Sequence, residues 1–107
     1  MSEALDRITA RIREALAERD LPEKCVAVDF GPDGVVRVDA RQSPMEIGNE
    51  DGDCDCRLRV SMDDFKRLAK GELDPMKAMM RRKIRIDGDF GLAFRLAQAL
   101  KKGHAAP

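Results

Sequence analysis

The chain contains no Trp and no Tyr, four Phe and a single His, so the stacking platforms on which single-strand nucleic-acid binders rely are missing. An excess of one charge is missing too. Twenty Lys and Arg balance twenty Asp and Glu, which leaves no net field to steer the chain onto a polyanion and no block of like charges that reads as a binding tail. Nucleic acid is not an expected partner. No uninterrupted apolar run could span a bilayer, and the N-terminus has no charged segment followed by an apolar stretch of the kind that directs secretion. Cys25, Cys54 and Cys56 are three in number and cannot complete a disulfide framework, so a reducing, cytoplasmic location is expected.

The groups that carry out chemistry are also scarce. His104 lies near the C-terminus, where chains seldom hold a catalytic geometry, and no Ser or Cys has a base and an orienting group suggested by spacing. Gly88-Asp89-Phe90-Gly91 lacks the glycines and the lysine of a phosphate loop. Asp51, Asp53 and Asp55 alternate as the ligands of a calcium loop do. That loop also needs Gly at its sixth position and Glu at its twelfth, where this chain has Cys56 and Met62. Cys25, Cys54, Cys56 and His104 share no spacing that would unite them around zinc. The acidic run reads as a turn leading into a strand, with Cys56 packed inward as a small hydrophobe. No enzyme activity, metal or cofactor is expected.

What is present is patterning. With 43% hydrophobic residues over 107 positions, residues 1–107 make one domain with an ordered core over about 4–102, long enough to bury roughly two-thirds of its unfolded surface. Leu5, Ile8, Ile12, Ala15 and Leu16 recur at helical spacing, and this first helix should end near Arg19, ahead of Leu21-Pro22. Val26, Val28 and Phe30 alternate, Gly31-Pro32-Asp33-Gly34 turns the chain, and Val36, Val38 and Ala40 alternate on the return, which predicts a hairpin. A short strand lies within Met45 to Gly48. Cys56, Leu58 and Val60 face inward on the clearest strand, against Arg57 and Arg59 outward.

Explicit stop and start signals follow. Ser61 with Asp64 three residues on opens a helix that presents Met62, Phe65, Leu68 and Ala69 inward and stops at Gly71. Asp74-Pro75 opens a second, short helix whose Met76, Met79 and Met80 share an apolar stripe. Lys83 to Asp87 is a strand with Ile84 and Ile86 inward. Gly88-Asp89 caps a last helix carrying Phe90, Leu92, Ala93, Phe94, Leu96, Ala97 and Leu100, with Lys101 and Lys102 at its negative end and Gly103 beyond. The strands alternate cleanly, so the sheet should be wet on one face and covered by all the helices on the other, an α+β arrangement. Arg37, Arg57, Arg59, Lys83 and Arg85 fall on the wet face, either paired with Asp29, Asp39 and Asp87 or forming a basic stripe for an anionic surface. A Met stripe is ordinarily core, yet Met62, Met76, Met79 and Met80 cluster in two successive helices, and methionine suits surfaces that re-pack around variable apolar partners.

The run Gly71-Glu72-Leu73-Asp74-Pro75-Met76-Lys77-Ala78-Met79-Met80 resembles the sterol carrier protein type-two family, lipid-transfer domains with a glycine, a helix-opening proline, an alanine and a bulky apolar pair in this order. The lysine-led strand and corner Lys83-Ile84-Arg85-Ile86-Asp87-Gly88-Asp89-Phe90-Gly91-Leu92-Ala93 continues the resemblance, as does Asp55-Cys56-Arg57-Leu58-Arg59-Val60-Ser61 upstream. Residues 4 to 100 follow the family's element order. The chain departs from the pattern at Arg82, where the family often has glycine.

The resemblance implies a five-stranded, mostly antiparallel sheet with helices packed on one face and an apolar tunnel between them. It implies non-catalytic binding or transfer of a fatty acid, acyl-CoA, sterol or isoprenoid or quinone-type lipid. Tunnel-lining roles would fall to Phe65, Leu68, Leu73, Met76, Met79, Met80, Phe90, Phe94 and Ala97. The expected partners are an apolar small molecule and, transiently, a membrane or protein surface. The alternative is an interaction or accessory module that keeps the fold without a working tunnel.

Overall fold

In the computed structural model, residues 3–17 and 21–105 are described, with side chains through Ala99. Five strands form one sheet: β1 (Cys25–Asp29), β2 (Val35–Asp39), β3 (Glu46–Gly48), β4 (Cys56–Val60) and β5 (Ile84–Gly88), in the order β3-β2-β1-β4-β5. Only β1 and β4 run parallel; the other three pairings are antiparallel. The register carries the alternation across the sheet. Val28 faces Val36 on one side and Leu58 on the other, and Leu58 faces Ile86, so one inner face gathers the apolar set and joins a single core.

All four helices, α1 (Glu3–Leu16), α2 (Met62–Ala69), α3 (Pro75–Met80) and α4 (Phe90–Ala105), contribute to that core. Ile8, Ile12 and Leu16 supply the buried stripe of α1, and α1 packs on α4 as well as on β2 and β3. The expected end of α1 near Arg19 lies outside the described residues. The hairpin turn takes a 3-10 form over Gly31–Asp33, with Gly31 and Gly34 at positive φ. At the other end of the chain, α4 runs through Gly103 to Ala105 rather than stopping before that glycine.

The helix signals act as read. Ser61 Oγ accepts from Asp64 N–H at 3.1 Å and Asp74 Oδ2 from Lys77 N–H at 3.0 Å. Both helices then end in the same paired backbone bonds. Gly71 N–H donates to Leu68 O and Glu72 N–H to Arg67 O; Arg82 N–H donates to Met79 O and Lys83 N–H to Ala78 O. Each pair is a Schellman stop, which puts the residue after the cap in the left-handed region. In α2 that residue is Gly71 (φ 77°); in α3 it is Arg82 (φ 58°). The departure at Arg82 therefore leaves the backbone geometry intact and puts a side chain where glycine is the usual occupant.

On the outer face Arg57 and Arg59 are paired across strands, as the simpler reading expects, whereas Lys83 and Arg85 make no ion pair with a described residue. Arg57 reaches Asp29 at 3.0 Å and Asp51 at 2.6 Å, Arg59 reaches Asp87 at 3.5 Å, and Arg41 grips Asp39 at 2.8 Å. Ala27 on the central strand faces Arg37 on one side and Arg57 on the other. Those long stems shield it, which explains why β1 is buried on both faces. The acidic turn is also engaged: Arg37 donates to Asp53 O and Cys25 N–H to the Asp55 carboxylate. Cys56 is buried in the core, and burial pushes its thiol up to about 11.

Candidate functional site: an apolar cavity

A cavity of about 250 Å³ lies between β4, α2, the start of α3 and α4. Leu58 comes from the inner face of β4, and Phe65, Leu68 and Ala69 come from α2. Leu73, Asp74, Pro75 and Met76 close one side, and Phe94, Ala97 and Gln98 of α4 the other. Phe65 is held in place by an edge-to-face contact with Phe30, ring centroids 5.2 Å apart at 82°. Its backbone is fixed in turn by the Ser61 cap, and the wall at Leu73 to Met76 is fixed by the Schellman stop and the Asp74 cap.

Six of the nine residues expected at a lipid site meet here: Phe65, Leu68, Leu73, Met76, Phe94 and Ala97. Met79, Met80 and Phe90 do not. Met76, Met79 and Met80 do share one side of α3 by their spacing, but a six-residue helix turns only a narrow arc inward, and that arc centres on Ala78. Ala78 is the fully buried residue of α3. Met79 packs partly against the core, and Met80 is 82% exposed. Phe90 shares the α4 stripe of Phe94 and Ala97 but sits one turn nearer the corner, 49% exposed and beyond the cavity's end. Leu58 also lines the cavity, and its inward position on β4 is the sequence signal for it. Ala69, Asp74, Pro75 and Gln98 are small, polar or capping residues that carry no apolar signal.

The nearly all-round apolar composition of α4 follows from its two sets of neighbours. Leu92, Ala93, Leu96 and Ala99 are buried in the core, whereas Phe94 and Ala97 lie half-buried at the cavity. The lining is carbon-rich and, among the described residues, contains no thiol, hydroxyl or imidazole. Asp74, its one carboxylate, is occupied as the α3 cap. Such a surface can enclose an apolar body, and the Gln98 amide is the one uncharged polar side chain on its wall. A larger and more open cleft of about 530 Å³ lies beyond the end of α1, with Arg13, Leu16, Arg41 and Met45 among its walls. Its arginines are already engaged, Arg13 with Ile47 O and Arg41 with Asp39.

This arrangement of helices on one face of a five-stranded mixed sheet is that of a lipid-carrier class of domain, and the sequence matches accordingly. Over residues 2–101 the chain matches the SCP-2 sterol transfer family, and it belongs to that family. No curated protein sequence matches it significantly. Among solved structures it is similar to the sterol carrier protein domain 2 of Helicoverpa armigera, with a TM-score of 0.74 and 21% identity over 97% of this chain and 91% of that one. It is equally similar to the sterol carrier protein 2 of Aedes aegypti in complex with palmitate, a C16 fatty acid, with a TM-score of 0.74 and 21% identity over 94% of this chain and 96% of that one. A ubiquinone synthesis protein, UbiJ-SCP2, shares the fold with a TM-score of 0.62 and 18% identity over 99% of this chain and 81% of that one.

Proposed function

We propose that the chain binds an apolar lipid between α2, α3 and α4 and carries it without chemical change. The observation that carries this reading is the cavity itself, an apolar space kept open in a domain that could have filled it. A void of 250 Å³ left empty at about 24 cal/mol per Å³ costs about 6 kcal/mol if sealed, a large share of a small domain's stability. The opening at Met76, which is 56% exposed, lets water relieve part of that cost. A ligand would relieve the rest.

The volume is below the roughly 300 Å³ at which ligand pockets usually begin, so a long-chain lipid enters by displacing the flexible Met76 side chain and the short helix behind it. Support for a lipid comes from the relatives: one is a palmitate complex and another is a ubiquinone synthesis protein. Fatty acid, acyl-CoA, sterol and isoprenoid or quinone lipids are all compatible with a wall that recognises shape weakly.

The test is native mass spectrometry of freshly purified protein, followed by thermal unfolding with palmitate, a sterol and a short-chain quinone. A bound lipid at one hundred times its Kd should add about 2.7 kcal/mol, which raises the Tm of a domain this size by roughly 10 °C or more. No adduct and no shift with any of the three would overturn the proposal.

A further inference from the structure

The outward arc of α3 is unaccounted for by the cavity. On a helix of 3.6 residues per turn, Met76 and Met80 fall on one line, and Lys77 and Arg81 on the line beside it. All four are exposed, the two methionines by 56% and 82%. Arg82 follows in the left-handed stop, also exposed. None of Lys77, Arg81 or Arg82 makes a side-chain ion pair with a described residue, in contrast to Arg57 and Arg59 of the sheet face. The local charge is lopsided. From Lys70 to Lys83 the chain has five Lys and Arg against two acids, Glu72 and Asp74, although its net charge is zero.

From this the geometry points to α3 as a docking surface for an anionic lipid bilayer. Exposed flexible apolar side chains bordered by unpaired cations are what an interfacial helix presents to headgroups, with each Lys or Arg near an anionic leaflet contributing about fivefold in binding. A protein partner could use the same charges, but continuity favours the bilayer. Met76 belongs both to the exposed arc and to the cavity wall, so a docked α3 would put the mouth of the cavity against the acyl layer and let a lipid cross without meeting water. The surface adds to the carrier reading, and its test uses ligand-free protein, so the two can fail separately.

The experiment is sedimentation of the ligand-free chain with vesicles of phosphatidylcholine alone or with about a third phosphatidylglycerol. Binding should be confined largely to the anionic vesicles and should fall steeply between low salt and 1 M salt, where the screening length shrinks to about 3 Å. The double variant Lys77→Glu and Arg81→Glu should weaken it roughly 25-fold or more. Met80→Ser should weaken it with no change in the unfolding temperature, because the side chain is exposed. Arg85→Glu, on the sheet face, should leave it unaffected. Equal binding to both vesicles, no binding, insensitivity to the α3 variants, or an equal loss with Arg85→Glu would each overturn the assignment.

Discussion

Two backbone positions in this domain impose opposite demands. Gly88 sits at φ 97°, and a Cβ there would lie 2.2 Å from the carbonyl oxygen of Asp55, the atom that accepts from Asp89 N–H. Gly88→Ala should cost about 2 to 4 kcal/mol, read as a lowered urea midpoint. Arg82 occupies the left-handed region with a full side chain, at a cost of about 1 to 2 kcal/mol. Arg82→Gly removes that strain and gives back part of it as greater freedom of the unfolded chain, so a net gain of up to about 1 kcal/mol is expected. Gly91, by contrast, has no special φ and meets only the Asp89 carboxylate at 3.3 Å, so the tight corner rests on Gly88 alone.

Asp39 supplies the clearest pH dependence among single residues. It is 5% exposed, and the Arg41 side chain, which donates from Nε and Nη2, holds its carboxyl down at about 2 against the usual 3.8. Because the folded value is depressed, the stability it contributes is present above about pH 4 and is lost as the pH falls through 2. Asp39→Asn should therefore lower stability at neutral pH and flatten the acid side of the stability profile between pH 4 and 2, measured by urea unfolding.

Among the elements, α3 is held differently from the rest. Its ends are fixed by backbone and cap bonds, while only Ala78 is fully buried. The site can be tested through its neighbour α4, whose Ala97 faces the cavity with little side chain of its own. Ala97→Trp should fill the space, abolish the lipid-induced rise in Tm and leave the ligand-free protein folded. Met79→Trp should instead overpack the margin of the core, costing about 1 to 3 kcal/mol, and leave uptake in place because Met79 does not line the cavity. Loss of uptake in the second variant but not the first would contradict the assigned walls.

At the scale of the molecule, most of the architecture was legible because its determinants are local. Strand alternation at Val26 and Val28, at Val36 and Val38, and at Cys56, Leu58 and Val60 fixes the inner face. Ser61, Asp74 and Asp89 are caps that can be recognised in the sequence itself. What was not legible depends on tertiary placement. The direction of each methionine on α3 follows from how that helix sits on β5 and the core, and a hydrophobic pattern does not distinguish a side chain that packs from one left at the surface. Phe90 lies outside the cavity for the same kind of reason, since it shares the helix face of Phe94 and Ala97 but sits one turn nearer the corner. The ion pairs of Arg57 were readable in kind, but its second partner, Asp51, belongs to a turn whose path the sequence leaves open.

The packing of α1 on α4 has one more consequence. These helices lie on either side of the sheet in chain order yet touch in the fold, and the central strand β1 must wait for β4 to pair on its second side. A chain emerging from the ribosome therefore exposes the oily side of the sheet until its final helix is synthesised. Such long-range closure slows folding and leaves the nascent chain open to aggregation, so chaperone dependence should be decided during translation, before any lipid can bind.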